Sequence, residues 1–342
     1  MQPQVTVVIV TFNSLPYIEA CLRSLERQSY LAMKIVVIDN ASYDGTADFL
    51  RDRLLERAIF NRRNVGFAAA QNQGIRMSKQ GWVLTLNPDV VLDPDFISNL
   101  VDAAEGNSEV GTACGKLLRW QPDAAEPFSN VIDSTGIYFR PDLRHLDRGA
   151  EEIDGGQYDR REYVFGATGA AALYRREMIT DVSVESEFFD EDFFSYREDA
   201  DIAWRAQLMG WKCLYVPEAR GWHVRRVTPE RRNELPQEIN WHSVKNRFMM
   251  RMKNAGAGLW VNFVPQIIDR DLTIVGYSLL ADRNLLSALF YPLKTWRAVV
   301  RKRRIVQSRR RVRDRDLMRW FDYRPHSEPV AASENERRQK AS

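Results

Sequence analysis

Apolar positions in the first ninety residues gather into three short unbroken runs, each closed by polar or turn-forming residues. Residues 5–10 are β-branched throughout, residues 34–38 nearly so, and residues 82–86 form the third run. Runs with no polar alternation predict strands covered on both faces, as in a parallel sheet. Between them the period changes. Ile18, Cys21, Leu22 and Leu25 recur at helical spacing over residues 17–27, and a second helix is expected from residue 46 to about 57. Alternating strands and helices predict an α/β domain with right-handed crossovers and a site at the carboxyl ends of the strands.

The residues at those ends carry the candidate chemistry. Thr11 and Asn13 follow the first run, Asp39 closes the second, and the third delivers Asn87 and Asp89. A carboxylate at Asp39 can accept the ring N–H of uracil or thymine. Equally, Asp39, Ser42 and Asp44 read as turn and cap residues, the simpler account of that stretch alone. Asn64-Val65-Gly66 opens an alanine-rich helix, and its small residues suit either backbone approach to a ligand or tight helix-on-sheet packing. Neither a Gly-x-Gly-x-x-Gly nor a Gly-Lys-Ser/Thr loop is present, which argues against dinucleotide and P-loop chemistry.

Further along, Glu198, Asp199 and Asp201 crowd three carboxylates into four positions at the start of a helix expected over residues 198–208, and His223 supplies an imidazole. Such groups can hold a divalent cation on a diphosphate and deprotonate a hydroxyl beside it. By themselves they read as an acidic helix start with an Asp201–Arg205 pair and a structural histidine. Residues 166–172, with Gly169 among them, form either a loop that backbone offers to substrate or a turn before a strand. Trp204 reads by default as core.

In order along residues 5–225, these motifs resemble family 2 of the glycosyltransferases, the inverting group with the GT-A fold. The matching stretches are Val7-Val8-Ile9-Val10-Thr11-Phe12-Asn13, Val37-Ile38-Asp39-Asn40-Ala41-Ser42-Tyr43-Asp44-Gly45-Thr46, Asn64-Val65-Gly66-Phe67 and Leu86-Asn87-Pro88-Asp89. They continue with Gly166-Ala167-Thr168-Gly169-Ala170, Phe189-Asp190-Glu191-Asp192-Phe193-Phe194, Glu198-Asp199-Ala200-Asp201-Ile202-Ala203-Trp204-Arg205 and Gly210-Trp211. Within the family the chain looks most like bacterial rhamnosyltransferases of surface-polysaccharide assembly. The resemblance implies a GT-A sheet flanked by helices, mostly parallel; the helical extension after it is read from the pattern beyond residue 225. The resemblance also implies that Asp39 binds the base, with Thr11, Asn13, Asn64 and Gly66 around the donor. Asn87 and Asp89 stand at the Asp-x-Asp motif, with Asn87 a departure that removes one negative charge. Asp89 and His223 then hold Mg²⁺ or Mn²⁺ and Asp199 is the general base. Glu198, Gly169 and Trp204 meet the acceptor. The implied reaction is inverting, metal-dependent transfer of a sugar to a lipid-linked or polysaccharide acceptor, from dTDP-rhamnose by preference or otherwise from a UDP-sugar such as UDP-galactofuranose. A non-catalytic sugar-nucleotide or glycan-binding protein on the same fold is the alternative from another class. A nucleotidyltransferase lacks its early basic loop here.

Length, charge and cysteines refine this picture. The 342 residues suffice for a domain over residues 1–225, a helical extension over 226–322 and a disordered tail over 323–342. Cys21, Cys114 and Cys213 are scattered with no Cys-x-x-Cys, which favours reduced thiols and a cytoplasmic setting, and no signal peptide is expected. Net charge is only +3, but Arg301-Lys302-Arg303-Arg304 and Arg309-Arg310-Arg311 concentrate it late in the chain. Apolar clusters followed by that basic stretch suit an extension lying on the anionic inner face of a membrane. Trp260, Phe263, Leu285, Leu289 and Phe290 would then dip among lipids and the arginines from 301 to 313 would meet headgroups. A helical subdomain packed on the catalytic domain is the alternative. Nucleic acid is not expected as a partner, because the basic stretch has no recognition fold with it.

Overall fold

A computed structural model describes residues 2–53, 57–225 and 237–321. Its first elements are β1 (Val5–Thr11), α1 (Leu15–Glu26), β2 (Met33–Asp39), α2 (Thr46–Asp52), β3 (Arg57–Phe60), α3 (Phe67–Ile75) and β4 (Trp82–Leu86). Their strands lie in the order β4-β1-β2-β3, all pairs parallel. β1 is buried along its whole length. Val5, Val7 and Ile9 join Ile18, Leu22 and Leu25 of α1 in one hydrophobic cluster, while Val8 and Val10 belong to others, as alternation across a strand requires. The second helix ends at Asp52 rather than near residue 57, and the chain beyond it forms β3, an edge strand too short to stand out in the pattern.

The next elements are β5 (Val90–Leu92), α4 (Phe96–Glu105), β6 (Val110–Trp120), β7 (Phe128–Ser134), β8 (Ile137–Phe139), β9 (His145–Asp147), β10 (Glu162–Val164), β11 (Ala171–Arg175), α5 (Arg176–Val182), α6 (Glu198–Met209) and β12 (Lys212–His223). β11 inserts antiparallel between β4 and β6, and β12 runs parallel to β6. β5 and β10 flank β12 antiparallel and β7 flanks β6, so the sheet is parallel on one side and mixed on the other. The β5–β12 ladder matters most for function, because it pairs Val90 with His223 and so draws Asp89 and His223 together.

Five helices follow: α7 (Gln237–Asn254), α8 (Ala257–Leu280), α9 (Leu285–Lys294), α10 (Trp296–Arg309) and α11 (Asp314–Leu317). They share a core with the sheet. Met249, Met250, Leu259, Ile267, Val299, Val306 and Phe321 belong to the same cluster as Phe139, Phe165 and Trp204. Phe321 stands 5.3 Å, ring to ring, from both Phe139 and Trp204.

This packing corrects the expectation for the basic stretch. Arg301 pairs with Glu185, Lys302 with Glu187, Asp190 and Asp192, and Arg311 with Asp181. Arg303 donates to the carbonyls of Met252 and Ala255, Arg309 to that of Ser183, and Arg310 and Arg313 pair with Asp314 and Asp316. Most of these cations are thus engaged by the protein itself, while Arg304 is exposed and makes no ion pair among the described residues. Four of the five apolar residues expected in lipid are also engaged: Leu285 is buried, and Trp260, Phe263 and Leu289 pack against the protein. Only Phe290 is exposed. No helix among the described residues is long and apolar enough to cross a membrane. The expected disordered tail lies outside the described residues.

Candidate active site

The carboxyl ends of β1 and β2 place Thr11 beside Asp39, whose carboxylate is buried and accepts the Thr11 hydroxyl at 2.9 Å and the Ser42 amide at 3.1 Å. Asn13, at φ 51, receives the Tyr43 amide on its side-chain oxygen, which pins the two loops together. Asn40 gathers the next loop: its side chain donates to Asn64 Oδ1 and accepts from the Val65 amide. Gly66 has φ +89, and a Cβ there would come within 2.6 Å of the Phe194 ring. Its close approach is therefore to Phe194, a packing role.

Beyond β4, Asp89 meets His223 at 3.5 Å from Nε2, and the other imidazole nitrogen lies 2.8 Å from Asp133. Asp133 is itself gripped by Arg119 at 3.1 Å and Arg225 at 3.3 Å. Burial would raise the Asp133 carboxyl, but His223 and the two arginines hold it below its ordinary range. Burial opposes charge on His223, yet Asp133 and Asp89 outweigh it and push the imidazole up to about 10. A histidine fixed by a carboxylate on one nitrogen and facing a second carboxylate with the other suits a proton or a metal cation equally. Asn87 Oδ1, buried beside this pair in sequence, has no hydrogen-bond partner. Among the described residues no three His, Cys, Asp or Glu side chains could hold a metal alone. A cation here therefore needs oxygens from its ligand as well.

α6 supplies the acids. Asp199 Oδ2 accepts the Gly169 amide at 2.9 Å and Oδ1 accepts the Ala200 amide at 2.7 Å. Burial raises the Asp199 carboxyl despite these bonds. Glu198 is buried, its Oε2 has no hydrogen-bond partner, and burial with the neighbouring Asp199 pushes its carboxyl up to about 8. Between the ordinary value of 4.5 and 8 the folded protein keeps a proton that the unfolded chain releases, so stability falls as pH rises through that window. Glu198→Gln should therefore stabilise the fold at pH 8.5 by on the order of 1–3 kcal/mol, with little gain near pH 4.5. Urea unfolding across that range checks it, and a pH-independent difference would count against the buried acid.

The loop before α6 is strained and tied down. Phe194, Tyr196 and Arg197 have φ of 65, 70 and 71. Asn246 of α7 donates to the carbonyls of Phe193, Ser195 and Tyr196, and Arg197 donates to Ser243. Lys253 bridges Asp190 and Asp201 at 2.5 and 2.9 Å, and Lys302 of α10 reaches Asp190 at 2.5 Å. Asp201, between Arg205, Lys253 and Asn254, is an internal anchor.

Two groups of sequence-named residues thus meet at the strand ends: Thr11, Asn13 and Asp39, and Asp89 with His223. Asp199, Glu198 and Gly169 form a third. Trp204 is a correction. It is 0% exposed, among Phe139 and Phe321, so no acceptor ring reaches it. Asp133, Asn246, Lys253 and Lys302 were not anticipated. Their partners lie far away in the chain, and only the acidic run from Asp190 to Asp192 hinted that cations must meet it.

The Glycosyl transferase family 2 profile matches residues 6–182, more than half of the chain. N-acetylglucosaminyl-diphospho-decaprenol L-rhamnosyltransferase of Mycobacterium tuberculosis is 27% identical over 248 residues, 64% of this chain and 75% of that one. Poly-beta-1,6-N-acetyl-D-glucosamine synthase of Staphylococcus aureus is 23% identical over 274 residues, 77% of this chain but 61% of that longer protein. Among solved structures, GalNAc-T7 with UDP, GalNAc and Mn²⁺ gives a TM-score of 0.54 at 15% identity, covering 74% of this chain and 48% of that one. The mannosyltransferase of Pyrobaculum calidifontis with GDP-Man and Mn²⁺ gives 0.51 at 18% identity, covering 90% and 86%. These likenesses establish the GT-A fold. Sequence profile, relatives and fold agree: the chain is a glycosyltransferase and belongs to glycosyl transferase family 2.

Proposed function

We propose that this glycosyltransferase moves rhamnose from dTDP-rhamnose, with inversion and with a divalent cation, onto a lipid-linked or polysaccharide acceptor at the inner face of the cell membrane. The observation that carries this reading is the Asp89–His223 contact at the carboxyl end of the sheet that also bears Asp39. Asp39 accepts the imide N–H of a thymine or uracil, while Thr11 and Ser42 hold its carboxylate in place. Asn13 and Asn64 brace the loops on either side.

The donor set fits Mg²⁺ or Mn²⁺: the Asp89 carboxylate, the Nε2 of His223, and Asn87 Oδ1, whose hydrogen-bonding capacity is unused. Bound there, the cation would offset charge developing on the leaving diphosphate. Asp133 orients His223 for that role. Asp199 takes the proton of the attacking hydroxyl, and burial, which raises its affinity for protons, makes it a stronger base than an exposed carboxylate. Gly169 orients Asp199, and Glu198 donates to or accepts from the acceptor according to its protonation. A single base with no carboxylate nucleophile gives one displacement and inversion. The mycobacterial relative, named for rhamnose transfer to a diphospho-decaprenol-linked sugar, supports the choice of donor and acceptor class. A UDP-sugar remains the runner-up, since Asp39 does not distinguish uracil from thymine.

The test is calorimetric titration of a nucleotide-sugar panel with and without Mn²⁺. dTDP-rhamnose should bind tightest, and only with metal. Asp89→Ala and His223→Ala should each weaken metal-dependent binding about tenfold or more, and together less than additively because both serve one cation. Tighter metal-free binding of another nucleotide would reject the donor assignment. Unchanged metal affinity in the His223 variant would return that residue to a structural role.

A further inference from the structure

Sixteen large apolar side chains stand exposed among the described residues, and ten of them fall between Val261 and Trp296. Scattered exposure is ordinary, but concentration on this scale marks a contact surface. Of the seven exposed apolar positions on α8, Val261, Val264, Ile268, Leu272 and Leu279 form a helical stripe about 27 Å long at 1.5 Å per residue, while Tyr277 and Leu280 lie off it. The opposite side of the helix, with Leu259, Phe263, Ile267 and Ile274, already packs on the protein. α8 is therefore apolar on two faces, where a surface helix needs only one. Phe290, Leu293 and Trp296 extend the exposed area along α9 to the start of α10.

Unpaired charge around this area is mainly positive. Arg283, Lys294 and Arg297 are exposed and make no ion pair among the described residues. Of the nearby carboxylates, Asp271 is occupied by Arg251, Asp282 is half-buried at the turn, and Asp269 lies on the polar edge with Asn262 and Gln266. Unpaired cations beside an apolar stripe, with Trp296 at its far end, match an anionic lipid surface. They do not match a second copy of the chain, whose own cations would repel them.

We propose that α8, α9 and Trp296 form a face that lies on an anionic bilayer, the stripe entering the acyl boundary and Arg283, Lys294 and Arg297 meeting phosphates. This rests on the reading of a membrane-associated acceptor, and it moves the lipid-facing surface from the basic run of residues 301–313 to α8, α9 and the first turn of α10. Because α7 packs on α9 and also holds the loop before Asp199, docking fixes the active site relative to the bilayer.

The experiment is co-sedimentation of the full chain with vesicles of phosphatidylcholine alone or mixed with phosphatidylglycerol. Ile268→Glu/Leu272→Glu should weaken binding to both by about tenfold or more. Lys294→Ala/Arg297→Ala should weaken binding to the anionic vesicles alone, about fivefold per cation, with the difference vanishing in high salt. Leu31→Glu, on an exposed side chain outside this face, should bind like the parent. With neutral vesicles, tryptophan emission should shift to the blue for the parent, the Leu31 variant and the Lys294/Arg297 variant, but not for the Ile268/Leu272 variant. The face is overturned if the parent fails to bind, or if the Ile268/Leu272 variant binds as the parent does. It is also overturned if that variant instead dissociates a dimer. Transfer to a lipid-linked acceptor in detergent is followed in parallel: transfer without vesicle binding overturns the face alone, and vesicle binding lost in the stripe variant upholds the face even if no such acceptor is used.

Discussion

Asp199→Asn should cut the transfer rate by about 10²–10⁴ while leaving donor affinity within a factor of two or so. The asparagine keeps the shape of the side chain and one acceptor oxygen, but it cannot take a proton. Its amide must turn an N–H₂ towards the Gly169 or the Ala200 amide, where the carboxylate accepts from both. One hydrogen bond is thus lost, a cost of about 1 kcal/mol, offset by relief of a buried, proton-hungry carboxyl. Stability should move little. Steady-state kinetics with acceptor, beside calorimetric titration of the donor, separate the two effects. Near-normal turnover would remove Asp199 from the chemistry, and a large loss of stability would make it a structural anchor of α6.

How much of this site the chain announces follows from where its information lies. The buried parallel strands are legible because burial on both faces writes itself as runs without polar alternation, and so the strand-end residues Asp39 and Asp89 could be named. The antiparallel entry of β11 between β4 and β6 is not legible, since its register depends on partners far along the chain. For the same reason Asp133 escaped notice: only the β6–β7 and β6–β12 ladders bring it to His223. The basic run of α10 was misread because a sequence shows an unbalanced charge but not the carboxylates folded against it. Trp204 failed differently. Its helix is buried on nearly every side, so neighbours in sequence gave no sign of which face a ligand could reach.

Those misread cations support the other large effect. Asp190→Ala should destabilise the protein by about 3–5 kcal/mol, because it leaves two buried ammonium groups short of a partner. Asp190 accepts Lys253 and Lys302, each at 2.5 Å, and caps the short turn Glu191–Phe193 through the Asp192 amide. Burial would raise its carboxyl, but the two lysines drive it well below the ordinary 3.8. The stability that this provides is present above the unfolded value near 3.8 and is lost as pH falls below it. The gap between parent and Asp190→Ala should therefore be widest near neutrality and narrow below about pH 4. Lys302→Met alone should cost less, since Lys253 still answers Asp190, and the double variant should cost less than the sum. The same loss reaches catalysis. Asp190 opens the loop that carries the left-handed residues Phe194, Tyr196 and Arg197 into Asp199, and without it that loop is held by Asn246, Lys245, the Ala68 amide and Arg197 alone at its later positions, with its start released. Turnover should fall more than donor affinity, because the donor loops at Asp39 and Asn64 are braced elsewhere. Thermal unfolding should show a midpoint lower by on the order of 10 °C. Removal of everything after Ala298 should be worse still, since it strips Lys302, Val306 and Phe321 together. An Asp190→Ala protein as stable as its parent would mean that the lysines had found water instead, and that α10 rides on the catalytic domain without bracing it.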